Sequence, residues 1–123
     1  MAAASLRLQV SANNVANAAS SGPLPNSPNS TSVPGPYVPE RVDQVARAAG
    51  GTNVTVSAVS SGSVPMFDPS APYADGHGMV ASPNVDLASE IVQQLMARVS
   101  FAANAQVIRA DSKMTASLLD ITA

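Results

Sequence analysis

The sequence predicts a mainly α-helical chain, with N- and C-terminal helices pairing as an elongated coiled-coil-like stem around a small β-hairpin and an irregular Pro-rich middle. Three observations lead there. All ten prolines and all seven glycines lie between Gly22 and Pro83, leaving residues 2–19 and 84–123 free of both. A Gly or Pro costs a helix interior about 1 or about 3 kcal/mol relative to Ala, so helices belong at the two ends. Apolar residues recur at spacings of three and four through both end segments, and Thr52 to Val59 alternates Val with polar residues as a half-buried strand does.

The N-terminal helix is expected over residues 2–20. It carries two stripes, one of Ala3, Leu6, Val10, Asn13 and Asn17 and one of Leu8, Ala12, Val15 and Ala19. So wide an apolar arc fits contact with more than one neighbour. Asn13, Asn14 and Asn17 are poor helix formers and admit two readings, a frayed helix end or amides that hydrogen-bond partner backbones at a close helix contact.

Residues 21–39 read as a Pro/Ser-rich linker. Six prolines and no charge over Gly22–Pro39 cannot build a core. Residues 40–83 read as a small β or irregular segment. Tyr37 to Val45 is a candidate to pair with Thr52 to Val59 across Gly50-Gly51, and Asp68-Pro69, Ala71-Pro72 and Asp75-Gly76 read as turns leading to the last helix.

The C-terminal helix is expected over residues 84–123. Val92, Met96, Val99, Ala103, Val107, Ala110, Met114, Leu118 and Ile121 line one side, and Ile91 and Leu95 widen that stripe. Asn84 or Asp86 can cap its free N–H groups, and Asp86 and Glu90 suit the positive end of its dipole. A helix from Asp86 to Leu119 would be about 50 Å long, too long for a compact domain of this size. The candidate assembly interface is therefore Leu6, Val10, Asn13, Asn14 and Asn17 on the first helix with Ile91, Val92, Leu95, Met96, Val99, Ala103, Val107, Met114 and Leu118 on the second.

Composition narrows the function. The 123 residues include two Tyr, two Phe and no Trp, so a core built by this chain alone is thin, and partners are expected to add stability. A net charge of −2 from 14 charged residues offers no basic face for nucleic acid. No apolar run approaches the roughly 20 residues of a membrane span, which argues against direct membrane insertion. The N-terminus has no basic stretch followed by a Leu-rich core, so no cleaved signal peptide is expected.

Reactive chemistry is missing as well. With no cysteine, disulfides and thiolate metal sites are excluded. The lone His77 sits in Asp75-Gly76-His77-Gly78, where a solvated turn residue is the simpler reading than a ligand or base. No nucleophile elbow and no phosphate-binding Gly loop occurs. The Asn29-Ser30-Thr31 and Asn53-Val54-Thr55 triplets match the glycosylation pattern by chance in so Ser/Thr-rich a chain, and Met96 and Met114 read as core filler. Neither an enzyme nor a cofactor is expected.

Two separate motifs carry a family likeness. Asn13-Asn14-Val15-Ala16-Asn17, followed by Gly22, resembles the Asn-Asn-x-Ala-Asn signature of flagellar rod, hook and hook-associated proteins. Tyr73-Ala74-Asp75, Gly78-Met79-Val80, Pro83-Asn84-Val85-Asp86-Leu87 and Glu90-Ile91-Val92 resemble the FlgC family of proximal rod subunits, as does Arg98-Val99-Ser100-Phe101-Ala102-Ala103-Asn104, with Phe101 where the family has Tyr. The likeness spans residues 5–22 and 65–123.

It implies a structural subunit of the bacterial flagellar basal-body rod, a periplasm-spanning drive shaft for motility. Such subunits self-assemble through terminal helices and are exported unfolded through a type III apparatus without a cleaved signal peptide. The implied partners are other rod subunits, copies of the chain, the export apparatus and basal-body ring proteins. Family members usually carry a further helical stretch before the first Leu, so the chain reads as a short or N-terminally truncated member, and its Pro-rich stretch 23–39 has no family counterpart. The residues alone also admit a stand-alone coiled-coil adaptor for one helical partner, and, less well, a small cell-wall enzyme.

Overall fold

A computed structural model describes residues 1–25, 27–31 and 33–122. The chain runs through helix α1 (Ala2–Ala16), a short 3₁₀ turn (Pro28–Thr31), strands β1 (Glu40–Ala46), β2 (Thr52–Ala58), β3 (Ser63–Phe67) and β4 (Met79–Pro83), and helix α2 (Leu87–Thr122). The four strands form two separate antiparallel hairpins, β1-β2 and β3-β4. That corrects the mainly α-helical expectation with its single hairpin: helices and two strand pairs share the chain. Turn-rich residues around Asp68-Pro69 and Asp75-Gly76 lie inside the second hairpin, as the loop between β3 and β4.

Helix α1 ends at Asn17, whose φ of −105° and ψ of 8° leave the helical path. Its amide closes the last turn in two ways, through the backbone N–H and through Nδ2, both donating to Asn13 O at 3.1 and 2.9 Å. Six residues past α1, Gly22 exchanges two hydrogen bonds with Ala81 of β4, at 2.9 and 2.8 Å. A Cβ on Gly22 would lie 2.6 Å from Pro36 N and 2.8 Å from Gly35 C. Only glycine lets the two backbones pass so closely.

In the first hairpin, Gly50 and Gly51 take positive φ values of 89° and 82°, which the turn between β1 and β2 requires. The second hairpin holds a proline in each strand. Ala81 directs its N–H and C=O to Gly22, so Pro65 opposite it and Pro83 two residues on stand where the ladder needs no N–H. Val80, Ala81 and Pro83 are buried, which makes β4 the best-covered strand.

Asp86 starts α2. Its Oδ1 accepts the Ala88 N–H at 3.0 Å and its Oδ2 accepts the Ser89 hydroxyl at 2.7 Å. These bonds, the Ser89 hydroxyl foremost, hold its carboxyl below the usual carboxylate range. At 36 residues α2 is roughly 54 Å long at about 1.5 Å per residue. Helix α1 packs antiparallel on its first half: Asn14 and Ser11 reach Glu90, while Met1 and Ala3 share a surface hollow with Ser100 and Asn104. Beyond Ala105, every described side chain of α2 from Gln106 to Ile121 is exposed. Buried apolar residues are few and small (Ala4, Val10, Val80, Ala81 and Ala97).

Candidate assembly interface

The paired ends meet at one polar side chain. Asn14, 1% exposed, uses its whole carboxamide. Oδ1 accepts the Glu40 N–H at 3.0 Å and the Tyr37 hydroxyl at 2.9 Å. Nδ2 donates to Glu40 O and to Glu90 Oε1, each at 2.7 Å. An amide side chain carries the donor and acceptor of a peptide group, so Asn14 pairs with both backbone groups of Glu40 as a neighbouring strand would. The second Nδ2 hydrogen then ties α2 to the same point. Ser11, one turn earlier and also buried, donates its hydroxyl to Glu90 O at 3.1 Å. Arg7 extends the seam by donating to Gln44 Oε1 at 2.7 Å.

The three asparagines of the N-terminal motif therefore differ. Asn14 locks α1 to β1 and α2. Asn17 caps α1, and Asn13 is exposed, lending only its carbonyl to that cap. Val10 and Asn14 are buried within the chain, while Leu6 is half-buried. Asn84 is exposed and spends its groups locally, Nδ2 donating to Ser61 O and the backbone N–H to Gly62 O, both at 3.0 Å.

On α2, the side facing α1 carries Glu90, Gln94 and Ala97, with Phe101 at its edge. At about 100° per residue, Val92, Met96, Val99, Ala103 and Val107 fall on the opposite side. All five are exposed, as are Met114 and Leu118 further along. Ile91 and Leu95 flank a groove of about 400 Å³ between the helices, together with Ala4, Leu8 and Phe101. The apolar stripe is thus turned away from α1 and lies exposed on the opposite side of α2.

Residues missing from the sequence reading of this site are Tyr37, Glu40, Ser11 and Ala97. Only Ser11 had a signal, since it lies three positions before Asn14 on one helix face. Burial, and then the Glu40 and Glu90 carboxylates, push the Tyr37 hydroxyl above its ordinary pKa. Asp75 is held below the usual carboxylate range by the N–H of Met79 and then of His77, which it accepts at 2.9 and 2.8 Å. The His77 ring is solvent-exposed. Among the described residues no three His, Asp or Glu side chains gather closely enough to hold a metal ion, and no helix is long and apolar enough to cross a membrane.

Residues 77–121 match the family model for the C-terminal region of flagellar basal body rod FlgEFG proteins. The chain is 34% identical over 123 residues to the flagellar basal-body rod protein FlgC of Agrobacterium fabrum, covering 95% of this chain and 84% of that protein. It is 34% identical over 133 residues to FlgC of Salmonella typhimurium, covering 98% and 89%. For FlgC of Borreliella burgdorferi the figures are 29% over 135 residues, 94% and 86%. Paired terminal helices, a locked Asn motif and these likenesses define a structural, non-enzymatic protein of the flagellar basal-body rod. Within that class, the chain belongs to the FlgC family.

Replacing the lock with an apolar side chain of similar size is expected to be costly. Asn14→Leu leaves the Glu40 N–H and C=O and the Tyr37 hydroxyl without their partner, and each such group costs about 1–3 kcal/mol. Urea denaturation should show a loss of about 3 kcal/mol; a loss below about 1 kcal/mol would mean the amide is incidental.

Alkaline pH probes the same site. A folded-state pKa raised above the unfolded value gives stability that is present below the unfolded pKa, about 10 for Tyr, and lost as pH rises through the folded value. The urea midpoint of the native chain should fall more steeply above about pH 10 than that of Tyr37→Phe, whose ring cannot ionise. Parallel declines would rule out this coupling.

Proposed function

We propose that the chain self-assembles through its terminal helices into the axial drive shaft of the flagellum, serving flagellum-dependent motility. The observation that carries this reading is the apolar stripe of α2, from Val92 to Leu118, exposed along a helix whose described side chains from Gln106 to Ile121 are all exposed. A tube of identical subunits needs a heterologous contact that does not close on itself, and a long helix offering different faces along its length supplies one. In this reading Ile91, Val92, Leu95, Met96, Val99, Ala103, Val107, Met114 and Leu118 meet helices of neighbouring copies or other rod subunits in a coiled-coil-like packing. The half-buried Leu6 and the exposed Asn13 add to this face from α1.

The order of parts follows. Segments 2–20 and 84–123, which contain α1 and α2, form the stem, the Pro/Ser-rich segment 21–39 links α1 to the hairpins, and residues 40–83 form the body that holds the stem's register. The rod position implies passage through the flagellar export apparatus without a cleaved signal peptide, a place in the periplasm-spanning part of the basal body, and contact with its ring proteins. The proteins named FlgC that resemble this chain are basal-body rod proteins, which supports the placement.

Leu95 and Val99 are 55% and 66% exposed, so an aspartate at either leaves the subunit's own fold intact while placing a charge in the proposed contact. Cells carrying only Leu95→Asp or Val99→Asp should express a folded subunit and fail to swim, with basal bodies that lack a complete rod. Normal swimming with normal basal bodies would refute the interface.

A further inference from the structure

The hairpins present four outer strand edges, and three of them are occupied or blunted. The free side of β4 pairs with Gly22. On β3, Pro65 removes the central outward N–H. Along β1, helix α1 covers the edge, with Asn14 on the Glu40 backbone and Arg7 on the Gln44 side chain.

Strand β2 differs. The bonds from Val59 N–H to Pro39 O and from Arg47 N–H to Gly51 O set the ladder's phase, so Asn53, Thr55 and Ser57 face β1. Thr52, Val54, Val56 and Ala58 therefore point their N–H and C=O groups outward, and none has a partner among the described residues. The strand Thr52–Ala58 holds no proline, glycine or charged residue. Such an edge lacks the proline and the charges that usually guard against strand addition.

We propose that this edge pairs with the same edge of a second copy of the chain, antiparallel about a two-fold axis through Thr55. No other edge of the second copy offers an uninterrupted outward ladder. The register matches the phase of both strands: Val54 lies opposite Val56 of the second copy and Thr52 opposite its Ala58, so every outward N–H meets an outward C=O. A one-residue slip would set outward groups against inward ones. The cross-strand pairs are Val with Val on one face and Thr55 with Thr55 on the other, with no like charges opposed. On the adjoining strand, Asp43 accepts from Arg41 at 3.2 Å and from Ser57 at 2.7 Å. A two-fold contact closes on itself, so it belongs to the free subunit and is distinct from the open contact of a rod.

The cysteine-free chain makes the test direct. Thr55→Cys sets two thiols in a non-hydrogen-bonded pair, with Cα atoms about 4.5 Å apart, within the range a disulfide spans. Asn53→Cys sets its two thiols about 13 Å apart along the strands, out of reach. Both variants are made in the full chain carrying Leu95→Asp, so that association through the helices does not contribute. On mild oxidation, Thr55→Cys should give a disulfide-linked dimer on a non-reducing gel and Asn53→Cys should stay monomeric. Adding Val56→Pro, which deletes an N–H that bonds nothing within the monomer, should abolish the dimer. Equal cross-linking of the two cysteine variants, no cross-linking of either, or a dimer that survives Val56→Pro in a folded chain would overturn the proposal.

Discussion

The arrangement of this chain depends on one buried carboxamide. Asn14 joins three segments far apart in sequence, since its partners Glu40 and Glu90 stand 26 and 76 residues away. Apolar burial cannot set the relation among those segments by itself, because the buried apolar side chains are mostly alanine and valine and grip their neighbours weakly. A hydrogen-bonded amide is directional. It fixes how far α1 slides along α2 and which residue of β1 stands beside it, and the Tyr37 hydroxyl completes the set so that no polar group at the point is left unpaired.

That economy frees the large apolar side chains for the outside. Small residues such as Ala4 and Ala97 let α1 and α2 approach closely, while Val92, Leu95, Met96 and Val99 stay exposed. This inversion suits the proposed assembly, in which the large apolar side chains meet other subunits and the chain's own core only has to hold the helices in register. The two hairpins complete the frame: β1 receives Asn14, and β4 receives the chain leaving α1 at Gly22.

Much of the helical part was legible in the sequence. Crowding of Gly and Pro into residues 22–83 marks out helical ends, and the Val54–Val56 alternation beside Gly50-Gly51 marks a strand. The mainly α-helical class was wrong because the second hairpin hides from local rules. Its strands are five residues long and each holds a proline, which ordinarily argues against a strand. Their tolerance comes from the phase of the ladder, set by a bridge to Gly22 that no local pattern reveals. Periodicity likewise groups Val92, Met96 and Val99 on one side of α2 without saying whether α1 or another molecule meets that side. The Asn motif was visible, but the bonds of Asn14 depend on tertiary neighbours that sequence spacing does not show.

Glu40 offers the most direct check on the lock. Its N–H lies on the outward phase of β1, where an unpaired edge amide exchanges freely with solvent, and only the Asn14 side chain accepts it. Residue-resolved hydrogen exchange by NMR should find the Glu40 amide strongly protected in the native chain and unprotected in Asn14→Leu, with the amides of Asn53, Thr55 and Ser57 protected in both. Exchange of the Glu40 amide at the free-peptide rate in the native chain would contradict the account.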